Sequence, residues 1–139
     1  MPVELSEAAR ALLGAPNFAH LATVAADGTP RSHAVWVGLE DDRVVVCTGR
    51  HTVKARNTER HPQVAISVVG RDDPYDTLMV RGTVVEHRND DDLALMDPIS
   101  IAYTGVPFPF RGGDGRVALI IEPTWFEHRT LPLHEAPGS

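Results

Sequence analysis

The feature that most constrains the fold of this chain is a series of six short apolar runs, each separated from the next by turn-forming residues. Valine, isoleucine and other strand formers dominate the runs, whereas glycine, proline and aspartate collect between them. Helical spacing of apolar residues occurs only at the margins of the series. The pattern predicts a mainly β domain, a small antiparallel barrel of six strands with two or three short helices. The strands are expected at residues 20–25, 31–39, 43–48, 64–69, 78–87 and 117–122.

Local sequence predicts how these strands are connected. The dipeptide Asp27-Gly28 lies between the first two runs and is a hairpin signal, and residues 40–42 supply the next turn. The first three strands are therefore predicted to form a meander. Gly82 lies inside the fifth run, which predicts a bulge or the close approach of another backbone. Ser6 is expected to cap a short amphipathic helix before the first strand.

Length, charge and composition limit the domain organisation, the binding partners and the location that we expect. The chain has 139 residues, which predicts one domain, and residues 130–139 are expected to form a loose tail. Its net charge of −6 disfavours binding to nucleic acids or to an acidic membrane surface. No apolar run has the length of a membrane span, and the N-terminus does not resemble a signal peptide. Cys47 is the single cysteine, which fits a reducing compartment, so we expect a cytoplasmic protein.

Positive charge nevertheless concentrates in residues 48–57, directly after the third run. Lys54 is the only lysine of the chain, and Arg50 and Arg56 lie on either side of it. A compact ammonium meets a phosphate as a point charge, and the N-terminus of the helix expected here also favours an anion. The segment is therefore a candidate phosphate or carboxylate site. The alternative is a solvated basic loop.

No metal site is expected. The consecutive carboxylates of residues 90–92 cannot converge on one face, and we expect them to begin a helix that runs through about Ile101, capped by Asn89 or Asp90. Cysteine and histidine do not show metal-ligand spacing. Residues 103–116 are irregular but apolar, which is typical of a loop that lines a pocket or a partner surface.

Several motifs occur together in this chain. They are Ala34-Val35-Trp36-Val37, Lys54-Ala55-Arg56-Asn57, Arg60-His61-Pro62, Arg81-Gly82 and the segment from Tyr103 to Arg111. The more specific element is the Lys-x-Arg-Asn motif followed by Arg-x-Pro. With these motifs, the chain over roughly residues 5–127 resembles the pyridoxamine-phosphate-oxidase-like split-barrel superfamily, and within it the branch of deazaflavin (coenzyme F-420)-dependent oxidoreductases.

The resemblance implies a six-stranded, FMN-binding-like split β-barrel that forms a homodimer, with two cofactor sites at the subunit interface. It implies that Lys54 is the main phosphate contact, with Thr48 and Arg50 beside it. Arg56 and Asn57 match the same motif and are candidate cofactor-binding residues. The backbone of Val35, Trp36 and Val37 would lie against the ring system, and residues 103–111 would reach the site from the other subunit.

The activity implied by the resemblance is transfer of a hydride from reduced coenzyme F-420 to a small conjugated or quinone-like acceptor. Because the cofactor carries this chemistry, the absence of a catalytic triad from the sequence is expected. Tyr103 and Arg111 are the candidate proton donors, and His33 faces either the site or solvent. One alternative is an FMN-dependent reductase or oxidase of the same fold. Another is a non-catalytic protein that binds a flavin or a tetrapyrrole.

Overall fold

A computed structural model describes residues 2–111 and 115–131, so most of the expected tail lies outside the described residues. The fold is mainly β, as predicted, with seven strands and three short helices in this part of the chain. No helix within the described ranges is long and apolar enough to cross a membrane. The elements are α1 (Glu7–Gly14), β1 (Phe18–Val24), β2 (Pro30–Val35), β3 (Gly38–Glu40), β4 (Arg43–Gly49), α2 (Val53–Arg60), β5 (Gln63–Val69), β6 (Asp76–Asn89), α3 (Met96–Thr104) and β7 (Arg116–Thr130).

The strands form one antiparallel sheet in the order β2-β1-β5-β6-β7-β4-β3. Only Trp36 and Val37 connect β2 to β3, although these strands lie at opposite ends of the order. The two ends of the sheet are therefore brought together, and the sheet curls into a barrel that is split at this point.

The predicted second strand, residues 31–39, is wrong in its extent. The structure breaks it into β2 and β3, which pair with β1 and β4 respectively, so the predicted meander is also wrong and the strand count rises to seven. The break depends on a residue that is distant in sequence. The backbone N–H of Val37 donates to the phenol oxygen of Tyr103 at 3.2 Å instead of joining a strand ladder.

Two apolar clusters position the functional region. The larger one fills the barrel and includes Leu13 from α1, which packs against the strands. The smaller one lies on the other face of β4 and β7, where Val45 and Ile120 pack with Ile99 of α3. Because Trp36 and Tyr103 border this smaller cluster, α3 and the β2–β3 connection are held next to each other.

The helix predicted to begin at Asn89 or Asp90 begins later, at Met96. Asp90 still caps it, but across the intervening turns: its buried carboxylate accepts from the backbone N–H groups of Leu95 and Met96 at 2.8 and 3.0 Å. Ser6 caps α1 as predicted, accepting from the N–H of Ala9 at 3.2 Å. Within residues 2–111 and 115–131, no three His, Cys, Asp or Glu side chains are placed to hold a metal ion.

The structure confirms the predicted bulge at Gly82. The register between β6 and β7 shifts between Arg81 and Gly82, and a Cβ atom on Gly82 would lie 2.7 Å from Ile121 Cγ2 and 2.8 Å from the Glu122 carbonyl oxygen. We expect Gly82→Ala to lower the free energy of unfolding by about 1–3 kcal/mol, because the backbone must move to admit the methyl group. Urea denaturation followed by circular dichroism measures this change.

Gly14→Ala is the matched control, because a Cβ atom there would meet only Leu39 Cδ1, at an ordinary contact distance of 3.7 Å. We expect this variant to be as stable as the parent protein or slightly more stable, since alanine is the better helix former. Equal unfolding midpoints for the two variants would contradict the close approach at the bulge.

Candidate functional site

A cleft of about 640 Å³ lies where α3 faces the ends of β1, β2 and β4. One group of lining residues is apolar or aromatic and the other is polar or positively charged. The first group includes Phe18, Val35, Trp36, Cys47, Met96, Ile99 and Phe108. The second group is Asn17, His20, Thr48, Lys54, Arg71, Tyr103 and Arg116. The described lining contains three strong bases and no carboxylate, although the chain as a whole has a net charge of −6.

Lys54 lies in the first turn of α2 and lines the cleft. The turn before it is fastened by Thr52, whose hydroxyl donates to the Gly49 carbonyl at 2.9 Å and accepts from the N–H of Ala55. Burial lowers the pKa of Lys54, and the charge of Arg116 lowers it further. No carboxylate of the described residues forms an ion pair with it. A partly desolvated ammonium of this kind is suited to an anionic ligand.

Arg116 is the second cation at this end of the cleft, and the sequence did not identify it as a site residue. Its backbone is fixed on both sides, since its N–H donates to Asp91 Oδ1 at 2.7 Å and its carbonyl accepts from the N–H of Asp90 at 3.0 Å. The guanidinium lies over the ring of Phe108, 4.9 Å from the centroid. Its Nε atom is buried and has no hydrogen-bond partner among the described residues. An unused donor beside Lys54 can serve a bound anion.

Thr48 and Lys54 both line the cleft. Thr48 is buried, and its hydroxyl is 3.0 Å from that of Thr52. Arg50 lies behind the cleft, where its Nη2 donates to the Arg116 carbonyl at 3.3 Å and is 3.9 Å from Asp91 Oδ2. This contact makes Arg50 a support for the backbone of Arg116.

The rest of the basic motif points away from the cleft. Arg56 is exposed and does not line it. Asn57 is buried, donates to Thr23 Oγ1 at 3.1 Å and accepts from Arg60 at 3.1 Å. Asn57 therefore ties α2 to β1, and its side chain is engaged within the protein.

Trp36 and Tyr103 form an aromatic wall of the cleft. Their rings are stacked, with centroids 5.2 Å apart and planes inclined by 14°. The Tyr103 hydroxyl accepts from the N–H of Val37 and donates to the carbonyl of Asn17 at 2.9 Å. Burial raises the pKa of Tyr103. Val35 lines the cleft beside Trp36, whereas the side chain of Val37 is buried in the barrel core. With both hydrogen-bonding roles used, Tyr103 is suited to positioning the β2–β3 connection.

Two other candidates lie outside the cleft lining. Arg111 forms a bidentate ion pair with Asp97, at 2.9 and 3.1 Å, and so holds the segment after α3 against that helix. The Arg111 guanidinium lowers the pKa of Asp97. His33 has a buried Nδ1 atom without a partner in the described part of the chain. Burial lowers the pKa of His33, with further contributions from Lys54 and Arg31.

Comparisons with known proteins agree with this architecture. A sequence profile of the family described as "Pyridoxamine 5'-phosphate oxidase" matches residues 5–129. A solved structure described as an F-420 reductase is 33% identical, with 88% of this chain and 98% of that chain covered and a TM-score of 0.79. No curated protein matches the sequence.

More distant structures share the fold alone. General stress protein 26 from Bacillus anthracis is 23% identical, with a TM-score of 0.69 over 88% of this chain and 92% of that chain. A pyridoxamine 5'-phosphate oxidase-related, FMN-binding protein from Nostoc punctiforme is 16% identical, with a TM-score of 0.60 over 81% and 73%. The profile match and the similarity to the F-420 reductase confirm the predicted resemblance. The chain belongs to the pyridoxamine 5'-phosphate oxidase family and has its split-barrel fold.

Proposed function

We propose that this chain is an oxidoreductase that binds coenzyme F-420 in the cleft and reduces a small conjugated or quinone-like acceptor. The observation that carries the proposal is the pairing of Lys54 and Arg116 in a cleft whose described lining has no carboxylate. The similarity to an F-420 reductase over most of the chain supports the choice of coenzyme.

The residues present fit a phosphate group. Two adjacent like charges destabilise each other unless an anion lies between them, and the buried Nε of Arg116 has a hydrogen bond still to give. Lys54 and Arg116 would hold the phosphate, and Val35 and Trp36 line the region where the ring system would lie. The chemistry that the reduced coenzyme supplies when bound is hydride donation.

The chain itself contributes binding, orientation and exclusion of water. Met96, Ile99 and Phe108 form an apolar wall that would shield a bound ligand from water on that side of the cleft. Tyr103 fixes the Val37 backbone at the β2–β3 connection, next to the cleft-lining residues Val35 and Trp36. These groups keep a planar ligand in one orientation, which is the main contribution that a protein makes to a cofactor reaction.

An FMN-dependent enzyme is the second candidate, supported by the likeness to the FMN-binding protein from Nostoc punctiforme. A Trp125→Phe variant would distinguish the two, because it leaves Trp36 as the only tryptophan while keeping an aromatic ring beneath the Arg81 guanidinium. We expect titration of this variant to show quenching of Trp36 at lower concentrations of coenzyme F-420 than of FMN. Tighter binding of FMN would replace the first candidate by the second.

Turnover is tested with the coenzyme that binds more tightly. We expect the loaded protein to reduce members of a panel of enones and quinones, followed by the absorbance of the reduced coenzyme. Tight binding without turnover across the panel would instead indicate a non-catalytic binding protein.

We also propose that the chain is a homodimer with a cofactor site at each side of the interface, acting in the cytoplasm. Exposed large apolar side chains outside the cleft lining support an interface: Met79, Ile101 and Phe110 are 46%, 48% and 76% exposed. The single free cysteine, Cys47, supports a reducing compartment. Light scattering after size-exclusion chromatography should give twice the chain mass of 15.1 kDa.

Binding of coenzyme F-420 is expected to weaken at alkaline pH. Burial and Arg116 lower the pKa of Lys54 below its usual 10.5, so the ammonium loses its proton at a lower pH than an exposed lysine does. The phosphodiester of the coenzyme keeps its charge over this range, so the dissociation constant should rise as pH increases through the Lys54 pKa. Titrations between about pH 7 and 10 measure this rise, and Lys54→Arg should remove it because arginine stays charged.

A further inference from the structure

We propose that Arg71 binds a carboxylate of the electron acceptor, so that the acceptor is a planar conjugated acid. This inference rests on the proposed function, because it assigns the second substrate of the same cleft. Arg71 lines the cleft, and no carboxylate of the described residues lies within ion-pair distance of it. It is the third strong base of the described lining, and the phosphate contacts argued above use only Lys54 and Arg116.

The backbone of Arg71 is fixed by a buried residue of the cleft. Its N–H donates to Asn17 Oδ1 at 2.9 Å, and Asn17 is only 9% exposed. The Asn17 amide in turn donates to the Leu12 carbonyl at the end of α1, at 2.9 Å. Because the Asn17 carbonyl also accepts from Tyr103, one residue positions both the aromatic wall and Arg71.

The loop that carries Arg71 is closed by its own hydrogen bonds. The N–H of Gly70 donates to the Asp76 carbonyl at 2.9 Å, and the N–H of Asp76 donates to the Asp73 carbonyl at 3.0 Å. The Asp73 carboxylate accepts from the N–H of Tyr75 at 3.0 Å. A Cβ atom on Gly70 would lie 2.6 Å from the Asp73 carbonyl oxygen, so the loop depends on glycine there. The backbone of Arg71 is thus held in place before any ligand binds.

An aromatic side chain accompanies the guanidinium. The centre of the Arg71 guanidinium is 5.9 Å from the centroid of the Phe18 ring, and Phe18 is 58% exposed at the edge of the cleft. A cation beside an exposed aromatic ring suits a ligand that has both a carboxylate and a flat conjugated part. Arg71 also lies close enough to the aromatic wall for its charge to lower the pKa of Tyr103, against the larger opposing effect of burial.

Arg71 and Lys54 lie beside different parts of β1. Lys54 belongs to α2, which Asn57 ties to Thr23 near the end of β1, whereas the Arg71 guanidinium accompanies Phe18 at the start of that strand. Phe18 and Thr23 are five positions apart along the strand, a distance of about 16 Å. The acidic tail of coenzyme F-420 is attached through its phosphate and therefore leaves from the Lys54 end. We therefore assign a carboxylate bound at Arg71 to the acceptor, with the coenzyme tail as the alternative that the coenzyme titration of Arg71→Ala tests.

The experiment measures binding of 2-naphthoate and of its methyl ester by calorimetry, using the full chain without coenzyme. We expect the acid to bind the parent protein roughly tenfold or more tightly than the ester, as for one charge-assisted contact. Arg71→Ala should abolish this preference and Arg71→Lys should restore part of it. Arg129→Ala, which removes an exposed arginine on β7, is the charge-matched control and should keep it.

The other outcomes overturn the proposal. Equal affinity of the parent protein for acid and ester would show that no carboxylate is selected. Loss of the preference in Lys54→Ala but not in Arg71→Ala would place the carboxylate at the phosphate end.

In a separate titration, Arg71→Ala should bind coenzyme F-420 as the parent does, and a roughly tenfold loss would assign Arg71 to the coenzyme tail. Failure of the parent protein to bind any coenzyme would instead overturn the proposed function and leave the naphthoate result standing.

Discussion

Replacing Lys54 and Arg116 together by alanine is expected to weaken coenzyme F-420 binding by roughly a hundredfold to ten-thousandfold. Each charge-assisted phosphate contact contributes about 1.5–3 kcal/mol, and each tenfold change in affinity corresponds to about 1.4 kcal/mol. Each single variant should therefore lose roughly tenfold to a hundredfold. Because both cations would contact one anion, the two losses need not add, and the double-mutant cycle measures their coupling. Fluorescence titration of Trp36 provides the dissociation constants.

The matched control for this cycle is Arg56→Ala, which also removes one positive charge from α2 but alters an exposed side chain outside the cleft lining. It should retain coenzyme affinity within about twofold, as expected for a screened surface charge. The thermal midpoint of the double variant should change little, because relief of the repulsion between the two charges offsets the lost contact between Arg116 and the Phe108 ring. If the double variant bound as well as the parent, these cations would be an ordinary surface feature.

The sequence predicted one half of this cation pair and missed the other for a physical reason. Lys54 was recognisable because it is the only lysine and lies in a basic segment. Arg116 reaches it through the pairing of β4 with β7, which places Arg116 opposite Gly49. The local sequence of Arg116 does not encode this register, because the strand it pairs with lies more than sixty residues earlier in the chain. The hydrogen bond from Arg50 to the Arg116 carbonyl spans 66 residues.

The fold shows the same division between local and distant causes. Apart from the broken second strand, the predicted strands, the Ser6 cap and the Gly82 bulge follow from periodicity and from single-residue preferences, and the structure confirms them. The break after Val35 was missed because it depends on Tyr103, whose hydroxyl bonds the Val37 N–H from 66 residues away. The start of α3 was misplaced because Asp90 caps the helix from a distance in sequence, across a turn in which Leu93 has a positive φ of 62°.

The thiol of Cys47 is expected to react with iodoacetamide at pH 8 about a thousandfold more slowly in the folded protein than in the unfolded chain. Burial and, to a smaller extent, the carboxylate of Asp90 raise its pKa from 9.0 to about 12, against an opposing effect of Arg116. Because the thiolate is the reactive form, that difference in pKa lowers its population by about a thousandfold. Mass spectrometry of the folded protein and of the protein in urea measures the two rates.

The pH dependence of this reaction separates a high pKa from simple burial. The rate of the unfolded chain should level off only above about pH 10, one unit above its thiol pKa, whereas the rate of the folded protein should still gain about tenfold per pH unit there. Arg116→Ala should slow the folded reaction further, because it removes the positive charge that favours the thiolate. A folded rate within about tenfold of the unfolded rate would mean that Cys47 is an available nucleophile. The slow rate that we expect would show that Cys47 is not activated as a nucleophile. This is consistent with a cleft whose reactivity is supplied by a bound coenzyme.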